Sequence, residues 1–298
     1  MNGILPLWKP KGMTSHDCVM KVRRLFQIKK AGHTGTLDPE AEGVLPICLG
    51  QATKIVPFLT DTTKTYITEV TLGTATETED SHGAVVEMSQ VTNPPSQQEI
   101  KNVLQLFRGH ITQVPPMYSA IKVNGKKLYE YARNNESVER PKRRVVIHQL
   151  ETLQTGSPAN RFWLEVVCSK GTYIRTLCVD IGNQLGYPAH MSALYRTATG
   201  PIRKKDTVTF SDIKQAVTLN SQAQLLMSMG SCLTQMPRTT VNDNTRKRVF
   251  HGQKLPKPAH LPETDPFLVM FDEHVIAIYE TDPKNNHVMK PVRVFHDD

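Results

Sequence analysis

No regular helix can run through Gly32-His-Thr-Gly-Thr-Leu-Asp-Pro39. Pro39 drives Asp38 out of the α region, and Gly32 and Gly35 open backbone angles closed to other residues. On the N-terminal side, Thr14 or Ser15 caps a helical pattern with Cys18, Val19, Val22, Leu25 and Phe26 on one face. On the C-terminal side, Gly43-Val-Leu-Pro-Ile-Cys-Leu-Gly50 reads as a buried strand between turns. The chain must therefore pass from helix to buried strand through a loop able to press close to a ligand. His33 and Asp38 are the titratable side chains of that loop.

The remaining pattern mixes strands and helices. Residues 3–8 read as a strand, and Lys64 to Leu72 alternates, with Tyr66, Thr68, Val70 and Leu72 on one face. Residues 73–83 form a polar loop holding Glu77, Glu79 and Asp80. Ser96 and Glu99 make a capping box ahead of Ile100, Val103, Leu104 and Phe107, and Gly109 ends that helix. A helix is expected over 126–133, and a polar, basic, projecting segment over 134–144. Phe162 to Cys168 reads as a strand, Lys170 to Arg175 as extended, and Thr176 to Leu185 as a helix closed by Gly186. Composition shifts around Met236-Pro237, and short strands follow near Leu255, Phe267–Phe271, Val275–Tyr279 and Pro291–Phe295. An α+β domain followed by a small β module suits a chain of 298 residues.

Composition narrows the function. With 39% hydrophobic and 21% charged residues the chain has material for a sizeable core. No apolar run reaches the length of a membrane span, and the first ten residues lack a signal-peptide layout. Five cysteines without CxxC spacing point to reduced thiols, a cytoplasmic location and neither disulfide frame nor zinc site. The net charge of +8 and pI of about 9.2 suit a polyanionic partner. Lys126–Lys127, Lys142–Arg144, Arg203–Lys205 and Arg246–Arg248 are local basic clusters fit for phosphate contacts.

Taken alone, an Asp-Pro pair is most often a turn former. Two glycines, a histidine and a basic chain shift Asp38 towards chemistry, and no GxSxG, P-loop lysine or HExxH motif competes with it. Tyr66 reads equally as cross-strand packing. Tyr173 and Arg175, two apart in an extended segment, would share a face. Such a pair could stack on a base and bind a carboxylate, or simply lie on the surface. The eleven histidines form no HxH or HxxxH cluster, and the acidic loop lacks other metal ligands, so no metal and no cofactor is expected.

Several segments resemble the TruB family of tRNA pseudouridine-55 synthases. They are Gly32–Pro39 continued through Gly50 and Ala52-Thr-Lys54, then Pro116-Met-Tyr-Ser-Ala120, Asn124–Arg133 and Cys168–Thr176. The opening, Asn2-Gly3 through Gly12-Met-Thr-Ser15, is similar too. The resemblance implies a pseudouridine-synthase fold, a central mostly antiparallel mixed sheet flanked by helices. It implies a catalytic domain over 1–236, a thumb insertion near 124–150, and a PUA-like β-barrel-type RNA-binding domain over 237–298. It also implies isomerisation of uridine 55 in the tRNA T-loop without cofactor, by a monomer needing no guide RNA and no membrane. Carried over by motif, Asp38 is the catalytic carboxylate, Arg175 its ion-pair partner and Tyr66 the ring that stacks on the flipped uracil. Tyr173 and Leu194 would line the pocket, and His33 would fill the space vacated in the T-loop. Lys9, Lys126, Lys127, Arg133, Lys142, Arg143 and Arg144 would contact RNA. Trp8, Glu42, Glu77 and Tyr195 depart from common family choices. The rival reading is a non-catalytic tRNA-binding or tRNA-folding protein on the same fold.

Overall fold

The computed structural model describes residues 1–153, 158–262 and 265–296. The chain opens with β1 (Gly3–Lys9) and α1 (Ser15–Phe26). Thr14 caps α1 by accepting from the Asp17 N–H, and Asp17 returns the bond in a capping box. After β2 (Ala31–His33) the chain loops through Asp38 into β3 (Glu42–Leu49), whose last seven residues are buried. A short α2 (Val56–Thr60) leads to β4 (Lys64–Leu72). Residues 73–83, expected as a plain loop, include β5 (Thr74–Thr76), which pairs with β6 (Val85–Met88) in a hairpin around the acidic turn.

Helix α3 (Gln97–Leu106) has the expected Ser96–Glu99 capping box, and β7 (Gly109–Gln113) follows it. The small hairpin β8 (Lys122–Val123) and β9 (Lys126–Lys127) precedes α4 (Leu128–Arg133). The long strand β10 (Arg143–Leu153) then pairs with both β7 and β11 (Arg161–Cys168). Residues 143–150, expected within the thumb insertion, are thus held in the central sheet by ladder hydrogen bonds, and the projecting segment ends at residue 142.

The extended segment expected through Arg175 stops two residues earlier. Tyr173 is the N-cap residue of α5 (Ile174–Gln184), so Arg175 sits in the first helical turn. The Gln113 side-chain amide fixes that start, accepting from the Tyr173 N–H at 3.0 Å and donating to its carbonyl at 3.1 Å. β12 (Ala189–Thr199) and β13 (Ile202–Arg203) complete the sheet.

Among the described residues the main sheet has nine strands, in the order β1-β3-β12-β4-β11-β10-β7, with β2 beside β3 and β13 beside β12. Its pairings are antiparallel except β12 with β3, which is parallel. Strand β12 is the keystone, joining the N-terminal strands to the rest. Helices α3 and α5 cover one face, burying Leu104, Leu177, Cys178 and Ile181 against Val70, Leu164 and Val166. Helix α1 and α6 (Phe210–Thr218) pack with β1 and β3 through Val19, Val22, Leu45, Ile47 and Ile213.

The C-terminal module contains α7 (Met229–Cys232), β14 (Arg238–Thr240), α8 (Asp243–Phe250) and β15 (Leu255–Pro256). It closes with β16 (Phe267–Phe271), β17 (His274–Asp282) and β18 (Asn285–Val294). These strands form a five-stranded sheet in the order β14-β16-β17-β18-β15. One apolar cluster runs across the junction, joining Ile4, Val44, Cys48 and Ile55 to Leu268, Met270, Ile278 and Phe295. All five cysteines are free and buried.

The approach of β3 to β12 leaves no room for a side chain at Gly43. Its φ is +135°, and a Cβ there would meet the Arg196 carbonyl oxygen at 2.3 Å. Gly43→Ala should lower unfolding stability by about 2 kcal/mol or more, read as a fall in the urea midpoint at unchanged slope.

Candidate active site

The loop between β2 and β3 is gripped from inside the protein by three side chains. Ser15 Oγ accepts from the Leu37 N–H at 2.9 Å and donates to the Leu37 carbonyl at 3.2 Å. Lys9 is fully buried and gives its ammonium hydrogens to the carbonyls of Pro10, Pro39 and Ala41 at 2.9, 2.9 and 2.7 Å. Arg196, 1% exposed, donates to the carbonyls of Val44, Thr36 and Gly35 at 2.8, 3.3 and 3.1 Å. A buried cation is tolerable only when its donors are met, so each cation fixes the carbonyls it binds. Asp38 stands between the two grips, with its backbone located on both sides.

Lys9 therefore departs from the RNA contact expected of it. All three of its donors are committed inside the fold, and it acts as a clamp on the Asp38 loop. Burial lowers its pKa, opposed by the charges of Cys18, Asp38, Glu40 and Glu42.

The Asp38 side chain faces Arg175 across 137 residues of sequence. Arg175 Nε lies 3.0 Å from Oδ2, and a terminal nitrogen donates to Oδ1 at 3.3 Å. The pair is a two-pronged fork, the geometry that suits guanidinium to carboxylate. Arg175 is itself held, donating to the Thr78 carbonyl at 2.9 Å and the Tyr118 carbonyl at 3.0 Å. Its side chain is 6% exposed, against 37% for Asp38. One partner is thus anchored in the protein while the other opens to the cleft.

The acidic turn between β5 and β6 serves this anchor. Glu79 is left-handed, with φ +62°, and its carboxylate accepts from the Thr176 hydroxyl at 2.7 Å, one residue beyond Arg175. Burial pushes the Glu79 carboxyl up, partly opposed by that hydrogen bond and by Arg175. No three His, Cys, Asp or Glu side chains among the described residues gather as metal ligands would.

Around the fork lies a cleft of about 620 Å³, lined by Asp38, Tyr66, Tyr173, Arg175 and Leu194, with His33 and Arg133 also in its wall. Tyr66 and Leu194 are neighbours across the β4–β12 ladder, where Leu194 pairs with Thr68 and Arg196 with Tyr66. Burial raises the pKa of the Tyr66 hydroxyl, with Arg196 opposing. Burial likewise raises that of Tyr173. His33 is held below its ordinary value by burial and then by the Arg196 and His16 charges, and its Nδ1 accepts from the Gly35 N–H at 3.3 Å. A second cleft of about 690 Å³, between α3 and the ends of β10 and β11, holds none of these residues.

The basic residues divide. Lys126 pairs with Glu136 at 2.6 Å and lies over the Tyr131 ring, while Lys127 donates to the Tyr129 hydroxyl at 3.1 Å. Arg133 lies over the Tyr129 ring, so these three brace the small hairpin and α4. Lys142, Arg143 and Arg144 are exposed at the start of β10. The Tyr195 ring is stacked on Trp163 with centroids 6.1 Å apart. Arg196, Ser15, Gln113 and Glu79 were not singled out from sequence as site residues. A lone arginine or serine carries no local pattern showing that it will be buried against a distant loop.

Residues 23–174 match the family model described as TruB family pseudouridylate synthase (N terminal domain), and residues 175–236 match the tRNA pseudouridylate synthase B C-terminal domain. The chain belongs to the TruB family of pseudouridylate synthases. A tRNA pseudouridine synthase B of Oceanobacillus iheyensis is 57% identical over 296 residues, spanning 99% of this chain and 98% of that protein. Another, from Geobacillus thermodenitrificans, is 51% identical over 301 residues, spanning 99% of this chain and all of its own length. In a solved Cbf5-Nop10-Gar1 complex one chain superposes with a TM-score of 0.73 at 27% identity, covering 94% of this chain and 78% of that one. A chain of an H/ACA RNP bound to a substrate RNA containing 2'-deoxyuridine has a TM-score of 0.76 at 24% identity, covering 99% of this chain and 85% of that one, and shares the fold. Asp38 and Tyr66 lie inside the first family match, and Arg175 opens the second.

The two kinds of basic residue should part experimentally. Lys9→Met should cost about 2–3 kcal/mol of stability by orphaning buried carbonyls, leaving the salt dependence of RNA binding unchanged. Lys142→Ala should leave stability alone and flatten that salt dependence by about one unit of slope. Urea unfolding and binding titrations at several salt concentrations read both.

Proposed function

We propose that this protein isomerises uridine 55 in the T-loop of tRNA to pseudouridine, with Asp38 as the catalytic carboxylate. The Asp38–Arg175 fork carries this reading, because it presents one oriented carboxylate to a cleft large enough for a nucleotide. Family membership and the names of the relatives support the reaction.

A uridine inside a folded loop must leave its stack before its glycosidic bond can be reached, at a cost of a few kcal/mol. Stacking on Tyr66, at about 1–3 kcal/mol per base, offsets much of that. Tyr173 and Leu194 close the sides of the pocket, and His33 takes the place the base leaves. Asp38 then either attacks C1′ or removes the proton at C2′, and the N1–C1′ bond breaks to release uracil from the sugar. The base turns and rejoins the sugar through C5, and in this reading Tyr66 helps move the C5 proton.

Residues 124–142 act as the thumb that clamps the T-arm by shape and phosphate contact. The C-terminal sheet serves as a PUA-like RNA-binding module. We read the enzyme as a cytoplasmic monomer that needs no guide RNA, since cleft and thumb belong to one chain. Among the described residues no helix is long and apolar enough to cross a membrane.

Mapping pseudouridine on an unmodified tRNA transcript after incubation with the protein tests the reading, and modification at position 55 is the expected result. Asp38→Asn should bind a T-arm stem-loop yet form no pseudouridine, and normal turnover by it would sink the assignment. Arg175→Lys should lose at least about 100-fold in rate, because a fork becomes a point charge.

A further inference from the structure

Two lysines are buried beside the cleft, and their ammonium groups are satisfied differently. Lys9 places all three donors on carbonyls. Lys64, the first residue of β4, is 6% exposed and places two, on the carbonyls of Thr60 and Thr62 at 2.5 Å each. An ammonium has three donors, so Lys64 retains one.

Lys64 and Tyr66 leave the same face of β4 about 7 Å apart, and both line the cleft with Asp38 and Arg175. Among the other cleft cations, Arg133 lies over the Tyr129 ring and the remaining ones are occupied by oxygen acceptors. Arg175 holds Asp38 and two carbonyls, Arg196 holds three carbonyls, and Lys170 is paired with Asp61 at 2.7 Å. The groups facing Lys64 are Arg196 on β12, Cys168 opposite on β11, and the Asp61 and Lys170 pair. Burial pushes the Cys168 thiol up to about 11, so it is neutral at pH 7. Burial first, then Arg196, brings Lys64 down to about 8, which leaves it largely protonated at pH 7.

We propose that Lys64 is a catalytic residue, its ammonium donating to a carbonyl oxygen of the uracil as the base separates from the sugar. This rests on the reading that the cleft isomerises a flipped uridine. When N1–C1′ breaks, the electron pair leaves with the base, and the charge spreads over N1, O2 and O4. It is discharged when C5 bonds to C1′, after which the C5 proton is lost and N1 takes up a proton. Tyr66 covers a face of the ring but brings no positive charge to its edge. A fixed, buried cation meets charge that exists only after bond breaking, which is where electrostatic stabilisation speeds a reaction.

The test compares wild type, Lys64→Met and Lys64→Arg in single-turnover pseudouridine formation on a T-arm stem-loop. Binding is measured separately with each substitution in an Asp38→Asn background. Lys64→Met should slow the single-turnover rate about 100-fold or more while Kd stays within about threefold. Lys64→Arg should recover to within about tenfold of wild type. The wild-type kcat/KM should fall as pH rises through about 8, where the free enzyme loses the Lys64 proton. That alkaline limb should be absent from Lys64→Arg. An undiminished rate in Lys64→Met overturns the proposal, as does a loss confined to Kd, which would make Lys64 a phosphate contact. If Lys64→Met does not fold, the arginine variant and the two pH profiles decide, and a limb that arginine fails to remove overturns it. A wild-type protein that forms no pseudouridine would instead bring down the function on which the proposal rests.

Discussion

The fork between Asp38 and Arg175 is the contact on which the site depends, and neither residue could hold it alone. Asp38 lies on a loop with no regular hydrogen bonding of its own, and Arg175 lies in the first turn of a helix far along the chain. The helix is fixed by packing on the sheet, the turn by Gln113 and Glu79, and the guanidinium by carbonyls from two further loops. The loop is fixed by Lys9, Ser15 and Arg196. A carboxylate that faces solvent gains orientation from a partner that does not move. The energetic cost of burying Arg175 is met by its carbonyls, so Asp38 need only align with it.

Besides Arg175, three buried cations among the described residues lie around this loop, and each ends on backbone carbonyls rather than on a carboxylate. Lys9 and Arg196 grip opposite ends of the loop, and Lys64 sits beyond Tyr66. A carbonyl grip solvates the charge without neutralising it, so positive potential survives in a cleft meant for a polyanion. The same potential, with burial, depresses the pKa of His33. Structural cations and substrate electrostatics are therefore one design. The two modules are likewise joined through Ile4, Cys48, Met270 and Phe295, which gives the C-terminal sheet a fixed seat on the edge formed by β1 and β3.

Local chemistry made several elements legible before any fold was known. The Thr14 and Ser96 caps, the buried run into β3 and the alternation in β4 each carry their period or capping pair within a few residues. Strand β12 was not legible. Its buried positions Leu194, Arg196 and Ala198 do alternate, but a charged residue among them hides the period in the sequence, and register shifts interrupt the ladder at Met191/Ala193 and Arg196/Ala198. The helical start at Ile174 is not legible because the bonds that fix its N-cap Tyr173 come from Gln113, distant in sequence. Lys9 looked like a phosphate ligand for a related reason, since residue type shows charge but not whether the charge is buried.

By itself the sequence determined that Asp38 would sit in an open, glycine-framed loop between a capped helix and a buried strand, because Pro39 and the glycines dictate backbone angles locally. Its motifs also carried the family. Only the tertiary structure decided what surrounds that carboxylate: which arginine forks to it, which cations hold its loop, and that Lys64 is buried in the cleft wall. Those are contacts between segments 30 to 161 residues apart or choices between burial and exposure, and both are fixed by packing rather than by any neighbour in the chain.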